Sequence, residues 1–215
     1  MNGAIARRAV DIAAAALGLA ALAPLFGLIA AAIWAADGRP VVFRQQRLGR
    51  NWRPFPLYKF RSMRRAAAGE TGPQVTAAGD PRITPLGRWL RRSKLDELPQ
   101  LWNVLRGDMS FIGPRPEVAR YAHAYRREFD VLLGVRPGLI DPATLCFARE
   151  EQMLPPGPEC ERVYLDEILP RKITLSLAYL ERRTWRGDLR LLAAALAPRW
   201  RRRKAHDGPY APAAR

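Results

Sequence analysis

Cysteine is scarce in this sequence. Only Cys146 and Cys160 occur among 215 residues, and they form neither a zinc-binding spacing nor a convincing disulfide framework. The chain also lacks a P-loop and a GxGxxG fingerprint, which removes the usual signals for a nucleotide held by a glycine-rich turn. Because disulfides are rare in reducing compartments, we expect the folded part of the chain to face the cytosol.

Lysine is also scarce, although the chain is strongly basic. The formal net charge is +16, yet only four of the 36 basic residues are lysine: Lys59, Lys94, Lys172 and Lys204. Arginine suits bidentate binding of phosphate, although coding bias also produces an arginine excess. The charge indicates an anionic partner and leaves nucleic acid, anionic lipid headgroups and a phosphorylated substrate as alternatives.

Charge of either sign is absent from Ile12 to Ala36. This apolar segment is near the ~20 residues needed to cross a bilayer. A cleaved signal peptide has an apolar region of only about 7–15 residues, so this longer segment fits a signal peptide least well. Pro24 lies at its middle and disrupts helical hydrogen bonding. A spanning helix and a re-entrant helix broken at Pro24 both remain open.

Arginines flank the apolar segment on both sides, and they favour the re-entrant interpretation. They are Arg7 and Arg8 before it, and Arg39, Arg44, Arg47 and Arg50 after it. Because arginine prefers the cytoplasmic side, a helix that enters and leaves the same leaflet satisfies both flanks. Each half, of roughly a dozen residues, would extend about 18 Å and stop inside the membrane.

The rest of the chain predicts an α+β fold that is mainly helical. Two stretches rich in Val, Phe, Leu and Tyr, Pro40–Leu48 and Pro54–Phe60, predict a small β-hairpin. Leu86–Ser93 carries apolar residues at helical spacing opposite arginines, which is typical of an interfacial amphipathic helix. Val118–Leu133 and Arg162–Arg183 are also predicted helices, the second one broken at its proline.

An acidic pair, Asp96–Glu97, lies inside a basic region. Basic residues precede and follow it: Arg88, Arg91, Arg92, Lys94, Arg106 and Arg115. Pro99 predicts that a helix begins near Asp96, and Gly107 predicts its end. Asp96 then either caps this helix, with Glu97 as a first-turn acid, or stands where a helix N-terminus attracts phosphate.

Two proline- and glycine-rich loops each hold one arginine. They are Ser110–Pro116, with Arg115, and Val135–Leu139, with Arg136. A rigid loop fixes the direction of its arginine, which helps to hold a phosphate in one pose. A structural turn with a solvated arginine is the equally open alternative.

Several ordered motifs resemble the bacterial sugar transferases of the small monotopic phosphoglycosyl transferase type. The matching pieces are FRQQRLG at 43–49, KFRSM at 59–63, DPRIT at 80–84, the block 87–116 with LDELPQLWNVLRGDMSFIGPRP, and RPGL at 136–139. The resemblance covers roughly residues 5 to 196. It implies an enzyme of the bacterial inner membrane whose catalytic domain faces the cytoplasm.

The resemblance also implies the reaction. A phosphosugar would pass from a UDP-sugar to undecaprenyl phosphate, with release of UMP and with Mg2+ as cofactor. This is the first membrane step of exopolysaccharide, O-antigen or glycoprotein glycan assembly. Asp96 and Glu97 would be catalytic and would bind the metal. Basic residues of the matching motifs would bind substrate phosphates: Lys59, Arg61, Arg91, Arg115 and Arg136.

The predicted organisation has three parts. Residues 1–38 form the re-entrant membrane helix broken at Pro24, 39–196 the catalytic domain, and 197–215 a basic flexible tail. The expected partners are the two substrates and membrane lipid, and a homo-oligomer is one state left open. Nucleic acid is not expected, because carboxylates amid the arginines would repel its backbone. A catalytically silent scaffold of the same fold is a further alternative.

Two departures from the family pattern concern the donor sugar. The loop after the second arginine reads Ile140-Asp141-Pro142-Ala143-Thr144 rather than the common Thr-Gly continuation. A further acid common in the C-terminal part of other members falls here on Ser176. Asp141 is the candidate to replace that acid.

Overall fold

The protein is described by a computed structural model that covers residues 2–64 and 75–197. In chain order its elements are α1 (Asn2–Asp37), β1 (Val42–Leu48), β2 (Pro54–Phe60), α2 (Pro85–Ser93), α3 (Gln100–Arg106), β3 (Ser110–Ile112), α4 (Ala119–Ala124), α5 (Arg126–Leu132), β4 (Gly138–Ile140), α6 (Pro142–Cys146), α7 (Glu159–Val163), α8 (Leu169–Glu181) and α9 (Trp185–Leu196). The predicted class, mainly helical α+β with a small hairpin, is confirmed.

The chain forms two compact units. The described part of the first unit comprises residues 2–47, 54–64 and 80–110, and that of the second comprises 48–53, 75–79 and 111–197. The first unit therefore contains α1, the paired strands, α2 and α3, and the second contains α4 to α9. The predicted division at residues 38 and 196 stays a prediction, and residues 198–215 of the predicted tail lie outside the described residues.

Helix α1 is one continuous element that runs through Pro24. The two separate half-helices expected from the sequence are not observed, because a single proline removes few of the hydrogen bonds that hold a helix of 36 residues. At 1.5 Å per residue such a helix is about 54 Å long, more than a hydrocarbon core of ~30 Å. Length and composition would let it cross a membrane. Its path through a bilayer stays a prediction.

Both ends of α1 are fixed within the first unit. Near the start, Arg8 donates to the carbonyl oxygens of Val104 and Leu105 at 2.6 and 2.8 Å, which supplies partners for the open C-terminus of α3. Towards the other end, Ile29 and Ile33 join a buried cluster with Phe60 and Leu90. The membrane-seeking helix and the acidic turn before α3 thus belong to one packed unit.

The predicted hairpin is confirmed. Strands β1 and β2 pair in a two-stranded sheet, and a short 3-10 turn, Arg50–Trp52, lies between them. The first strand begins two residues later than expected, at Val42. Tyr58 and Lys59 lie near the end of β2, which brings a lysine to the region of the acidic turn.

The second unit is a helical core, and here the predicted helices need correction. Residues 119–132 form two short helices separated at Tyr125, whose φ of −125° and ψ of 49° leave the helical region. The hydroxyl of Tyr125 donates to Leu165 O at 2.8 Å, a partner that the sequence does not reveal. The expected break at Pro170 is instead a π-helical turn, Tyr164–Ile168, directly before α8. Such a turn relieves the crowding that proline causes in the preceding turn.

The two cysteines, Cys146 and Cys160, are free and buried in the second unit. The expectation that they form no disulfide is confirmed. Burial, together with the nearby carboxyl of Asp141, raises the pKa of the Cys146 thiol. Both side chains therefore behave as small apolar residues of the core.

Candidate active site

A tight connection between α2 and α3 presents the acidic pair. Helix α2 ends at Ser93, and the left-handed conformation of the next residue, Lys94 (φ 61°), turns the chain. Leu95–Glu97 then form a single 3-10 turn. Helix α3 begins at Gln100 rather than near Asp96, and Gly107 ends it with a φ of 93°, as predicted. Asp96 caps neither the turn nor α3. The interpretation of Asp96 as a helix cap is therefore not supported.

Asp96 is a buried carboxylate with an unsatisfied oxygen. The residue is 4% exposed, and its Oδ1 has no hydrogen-bond partner among the described residues. Burial raises the pKa of Asp96, and the negative charge of Glu97 raises it further. Lys59, Arg91 and Lys94 act in the opposite direction without cancelling the shift. Such a perturbed acid with charged neighbours is typical of a functional site.

Glu97 forms an ion pair with Lys59, and the Nζ–Oε1 distance is 3.2 Å. Asn103 brings the two together. Its Oδ1 accepts from the backbone N–H of Tyr58 at 3.1 Å, and its Nδ2 donates to Pro56 O at 2.8 Å. These two bonds fix β2 against α3, so the lysine and the glutamate face each other in a defined register.

Arg91 lies on α2 and acts electrostatically on Asp96. Its Nη1 lies 3.5 Å from Ser62 Oγ and 3.8 Å from Met63 Sδ, which are long contacts. The helix reaches this position because Gly87 packs directly on the backbone of Ser62, where an added Cβ would lie 1.9 Å from the carbonyl oxygen. Lys59, Arg91, Asp96 and Glu97 are thus brought together in the first unit.

The expectation that Arg61 binds a substrate phosphate stays a prediction, and its described contacts give it a structural role as well. It is 7% exposed, and its Nη2 donates to the carbonyl oxygens of Asp37 and Gly38 at 2.5 and 2.7 Å. A cation at these carbonyls complements the negative end of α1 and supplies partners for its last turn. We assign Arg61 a structural role at the end of the membrane-seeking helix.

Arg115 and Arg136 belong to the second unit, where their loops lie side by side. Gly113 N donates to Ile140 O at 3.0 Å, and Gly138 N donates to Pro114 O at 2.8 Å. These bonds hold the two arginine-bearing segments in neighbouring positions. A joint action of these arginines with the acidic pair stays a prediction.

Asp141 and Ser176 are in direct contact within the second unit. Ser176 Oγ donates to Asp141 Oδ2 at 2.6 Å, and both side chains are buried. The other carboxylate oxygen of Asp141 accepts from Thr144 N at 2.7 Å and so caps α6. A carboxylate therefore lies beside Ser176, the position at which the resemblance implies a further acid. A functional replacement of that acid by Asp141 stays a prediction.

The residues present fit a magnesium ion only in part. Across the described ranges, no group of three or more His, Cys, Asp or Glu side chains is arranged to hold a metal. The unsatisfied Oδ1 of Asp96 and the adjacent Glu97 offer two carboxylates. Mg2+ is commonly held by one or two carboxylates plus substrate phosphates and water, so this donor set fits a metal that is bound together with substrate.

Gln100 and Asn103 belong to the LDELPQLWN part of the matching block, and the resemblance implies no role for either residue. Both are fully buried. Gln100 stands four residues after Asp96, and this helical spacing was a signal that could have found it. Asn103 interrupts the apolar face of Leu101 and Val104, which marks a buried polar group that needs partners.

Comparison with known proteins identifies the family of the chain. The profile of the family described as bacterial sugar transferase matches residues 2–201. The chain therefore belongs to the bacterial sugar transferase family.

Three relatives illustrate the similarity. The chain is 42% identical over 166 residues to an undecaprenyl-phosphate glucose phosphotransferase of Komagataeibacter xylinus, which covers 74% of this chain and 31% of the relative. It is 45% identical over 138 residues to a UDP-glucose:undecaprenyl-phosphate glucose-1-phosphate transferase of Caulobacter vibrioides, covering 62% and 51%. It is 40% identical over 136 residues to a UDP-N-acetylgalactosamine-undecaprenyl-phosphate N-acetylgalactosaminephosphotransferase of Aeromonas hydrophila, covering 62% and 32%. The matches thus span about a third to a half of these relatives.

Proposed function

We propose that this chain is a membrane-bound phosphoglycosyl transferase that moves a sugar 1-phosphate from a UDP-sugar to undecaprenyl phosphate and releases UMP. The observation that carries the proposal is Asp96, a buried carboxylate with an unpartnered oxygen and a raised pKa beside the Lys59–Glu97 ion pair. A carboxylate held in this way costs stability, and such a cost is typical of a group kept for chemistry. The names of the relatives support the substrate classes.

The proposed reaction has two displacements. A carboxylate oxygen of Asp96 attacks the phosphorus that bears the sugar, and the bond from that phosphorus to the bridging oxygen breaks. The electron pair leaves with UMP, and an aspartyl phosphosugar remains. An oxygen of undecaprenyl phosphate then attacks the same phosphorus. The acyl oxygen of Asp96 leaves, so the carboxylate is restored and the lipid carries a diphosphate-linked sugar.

The surrounding charges serve this chemistry. Lys59 and Arg91, which both act electrostatically on Asp96, would offset the negative charge of the donor diphosphate as it approaches that carboxylate. Glu97 orients Lys59 through their ion pair. We further propose that Asp96 and Glu97 hold Mg2+ together with the donor phosphates. The bound ion would supply positive charge that reduces the repulsion between carboxylates and phosphates.

The acceptor lipid requires that the site lie at the membrane surface. The most apolar 18-residue stretch of helix α1 has a mean hydropathy of 2.3, and only 11% of that stretch is buried inside the protein, which suits insertion in lipid. At its C-terminal end, an open hollow of about 590 Å³ is lined by Trp34, Arg39, Pro40 and Val41. Apolar walls with one guanidinium suit a polyprenyl chain that ends in phosphate. We propose that this hollow binds the acceptor lipid. We also propose that the enzyme inserts into the cytoplasmic leaflet of the membrane.

The test is UMP release by the purified full chain in detergent with Mg2+ and undecaprenyl phosphate. The donor panel contains UDP-glucose, UDP-galactose and UDP-N-acetylgalactosamine. At least one donor should release UMP, and Asp96→Asn should abolish that release although the variant is recovered from the membrane fraction like the wild type before it is extracted. The matched control is Asp166→Asn, which changes an exposed aspartate of the second unit and should retain full activity.

Two outcomes would contradict the proposal. UMP release by Asp96→Asn would remove Asp96 from the role of nucleophile. Absence of release with every donor, from a folded protein with its lipid acceptor, would favour a catalytically silent scaffold.

A further inference from the structure

Gln100 has a buried side-chain amide whose donor and acceptor both lack a hydrogen-bond partner among the described residues. The residue is 0% exposed, and neither Nε2 nor Oε1 has a partner within the described part of the chain. Native proteins pair the great majority of buried polar side-chain atoms, because an unpaired one is costly. A fully buried amide with both ends open therefore calls for a group that the protein itself does not supply.

The position of Gln100 connects it with the proposed nucleophile. It follows Asp96 by four residues, and the intervening Leu98 (φ −53°, ψ −37°) and Pro99 (φ −60°, ψ −15°) are right-handed helical. The chain from Asp96 to Gln100 is therefore a continuous right-handed helical path, from a 3-10 turn into the first residue of α3, which keeps the two residues in successive turns. Asp96 Oδ1 is also buried and unpartnered. Two residues with unsatisfied buried groups thus lie four positions apart, in the 3-10 turn and at the start of α3, and these groups do not satisfy each other.

The chemistry of the amide restricts which ligand groups can form hydrogen bonds with it. Nε2 is a donor and requires an acceptor, whereas Oε1 is an acceptor and requires a donor. A phosphate at neutral pH offers acceptors and would leave Oε1 open. A sugar 1-phosphate offers both kinds of group close together, since its phosphate oxygens accept and the substituent at C2 of the sugar donates. That substituent donates equally as a hydroxyl or as the N–H of an acetamido group.

We propose that Gln100 binds the glycosyl phosphate of the donor, with Nε2 donating to a phosphate oxygen and Oε1 accepting from the C2 substituent of the sugar. This inference rests on the proposed function and deepens it, because it assigns a residue that contacts the sugar beside the attacked phosphorus. Gln100 then accepts glucose-type and N-acetylhexosamine-type donors alike. It disfavours a donor that lacks a hydrogen-bond donor at C2.

The expected discrimination follows from the unpaired acceptor. A site built to hydrogen-bond a substrate hydroxyl rejects the analogue that lacks it, because the buried polar group of the protein is then left unpaired. For one neutral hydrogen bond we expect the 2-deoxy donor to lose about 10- to 100-fold in kcat/KM. An ordered water at Oε1 would instead make the wild type indifferent to the C2 substituent.

The experiment pairs a change in the substrate with a change in the side chain. The full chain is assayed for UMP release with UDP-glucose and UDP-2-deoxyglucose, or with UDP-galactose and UDP-2-deoxygalactose if galactose-type donors are preferred. Gln100→Met keeps the size of the side chain and removes both polar atoms. In this variant the preference for the 2-hydroxyl should fall from 10- to 100-fold to less than about threefold. Gln152→Met, which changes an exposed glutamine of the second unit, should keep the wild-type preference.

A binding measurement covers the case of low turnover. In an Asp96→Asn background, calorimetric titration with the same two donors should show the preference with Gln100 and lose it with Gln100→Met. An equal preference in both would overturn the proposal, as would a wild type that does not distinguish the donors. Failure of every UDP-sugar to release UMP would overturn the proposed function and this inference together. UMP release with an unchanged preference would overturn this inference alone.

Discussion

Replacement of Asp96 by asparagine should make the protein more stable while it abolishes activity. The side chain is 4% exposed and its Oδ1 has no described partner. The pKa of Asp96 is raised, so the desolvation cost and the repulsion from Glu97 outweigh the attraction of the neighbouring cations in the ionised state. The neutral amide of asparagine removes this charge and keeps the shape.

The magnitude follows from the cost of an unsatisfied buried group. Such a group costs on the order of 1–3 kcal/mol, and the amide still needs partners, so we expect Asp96→Asn to gain no more than this. For a chain of this size, 1 kcal/mol shifts Tm by about 2–4 °C. Asp96→Asn should therefore unfold about 2–12 °C above the wild type at pH 8.

The effect should depend on pH in a defined direction. The folded pKa of Asp96 lies above the ordinary value of 3.8, so the folded state holds a proton over an interval in which the unfolded state has released it. The penalty is fully present above the folded pKa and is absent below the unfolded value. The difference in Tm between Asp96→Asn and the wild type should thus shrink as pH falls from 8 towards 4.

Tryptophan-fluorescence melts in detergent, with EDTA present at every pH, measure this difference. Asp166→Asn, at an exposed position, is the control and should match the wild type throughout. A variant that melts at or below the wild-type temperature at pH 8 would refute the view of Asp96 as a carboxylate kept at the expense of stability.

Three further substitutions test the neighbouring contacts. Lys59→Met removes the partner of Glu97 and should lower kcat/KM in the UMP assay by about 10- to 100-fold, whereas Lys59→Arg should retain more activity because the charge remains. Asn103→Leu leaves two backbone groups of β2 unpaired and should lower Tm by several degrees, and an unchanged melt would remove its role as a brace. Arg61→Met should lower Tm with little change in the KM for the UDP-sugar, whereas a selective rise in that KM would restore Arg61 as a phosphate ligand.

The sequence predicted the elements whose causes are local. The hairpin followed from two β-rich stretches, α2 from apolar residues at helical spacing, and the end of α3 from Gly107, a residue suited to its left-handed conformation. The start of α3 was placed too early. Pro99 is tolerated in the first turn, but the residues before it form a separate 3-10 turn after the left-handed Lys94.

The sequence missed the contacts that depend on distant partners. Arg61 sits in a motif next to Lys59, yet its guanidinium reaches the carbonyl oxygens at the end of α1, more than 20 residues earlier. The predicted helix over 118–133 is divided at Tyr125, whose hydroxyl finds Leu165. Neither partner can be inferred from spacing along the chain.

The candidate site was predicted as a set of residue types but not as a geometry. Motif resemblance selected Asp96, Glu97 and Lys59, and the structure pairs the last two at 3.2 Å. The resemblance did not reveal that Asp96 is buried with an unpaired Oδ1. Nor did it reveal that Gln100, four residues later, is buried with both polar side-chain atoms unpaired. Burial and unmet hydrogen bonding depend on tertiary packing, so no local pattern contains them.

The covalent intermediate is the most direct test of the account. The wild-type chain is incubated with its accepted UDP-sugar and without lipid acceptor, and its intact mass and peptide map are then recorded. We expect a mass gain of one glycosyl phosphate on the peptide that contains Asp96, and its loss when undecaprenyl phosphate is added. An adduct on another residue, or UMP release that never proceeds without acceptor, would contradict a carboxylate nucleophile at Asp96.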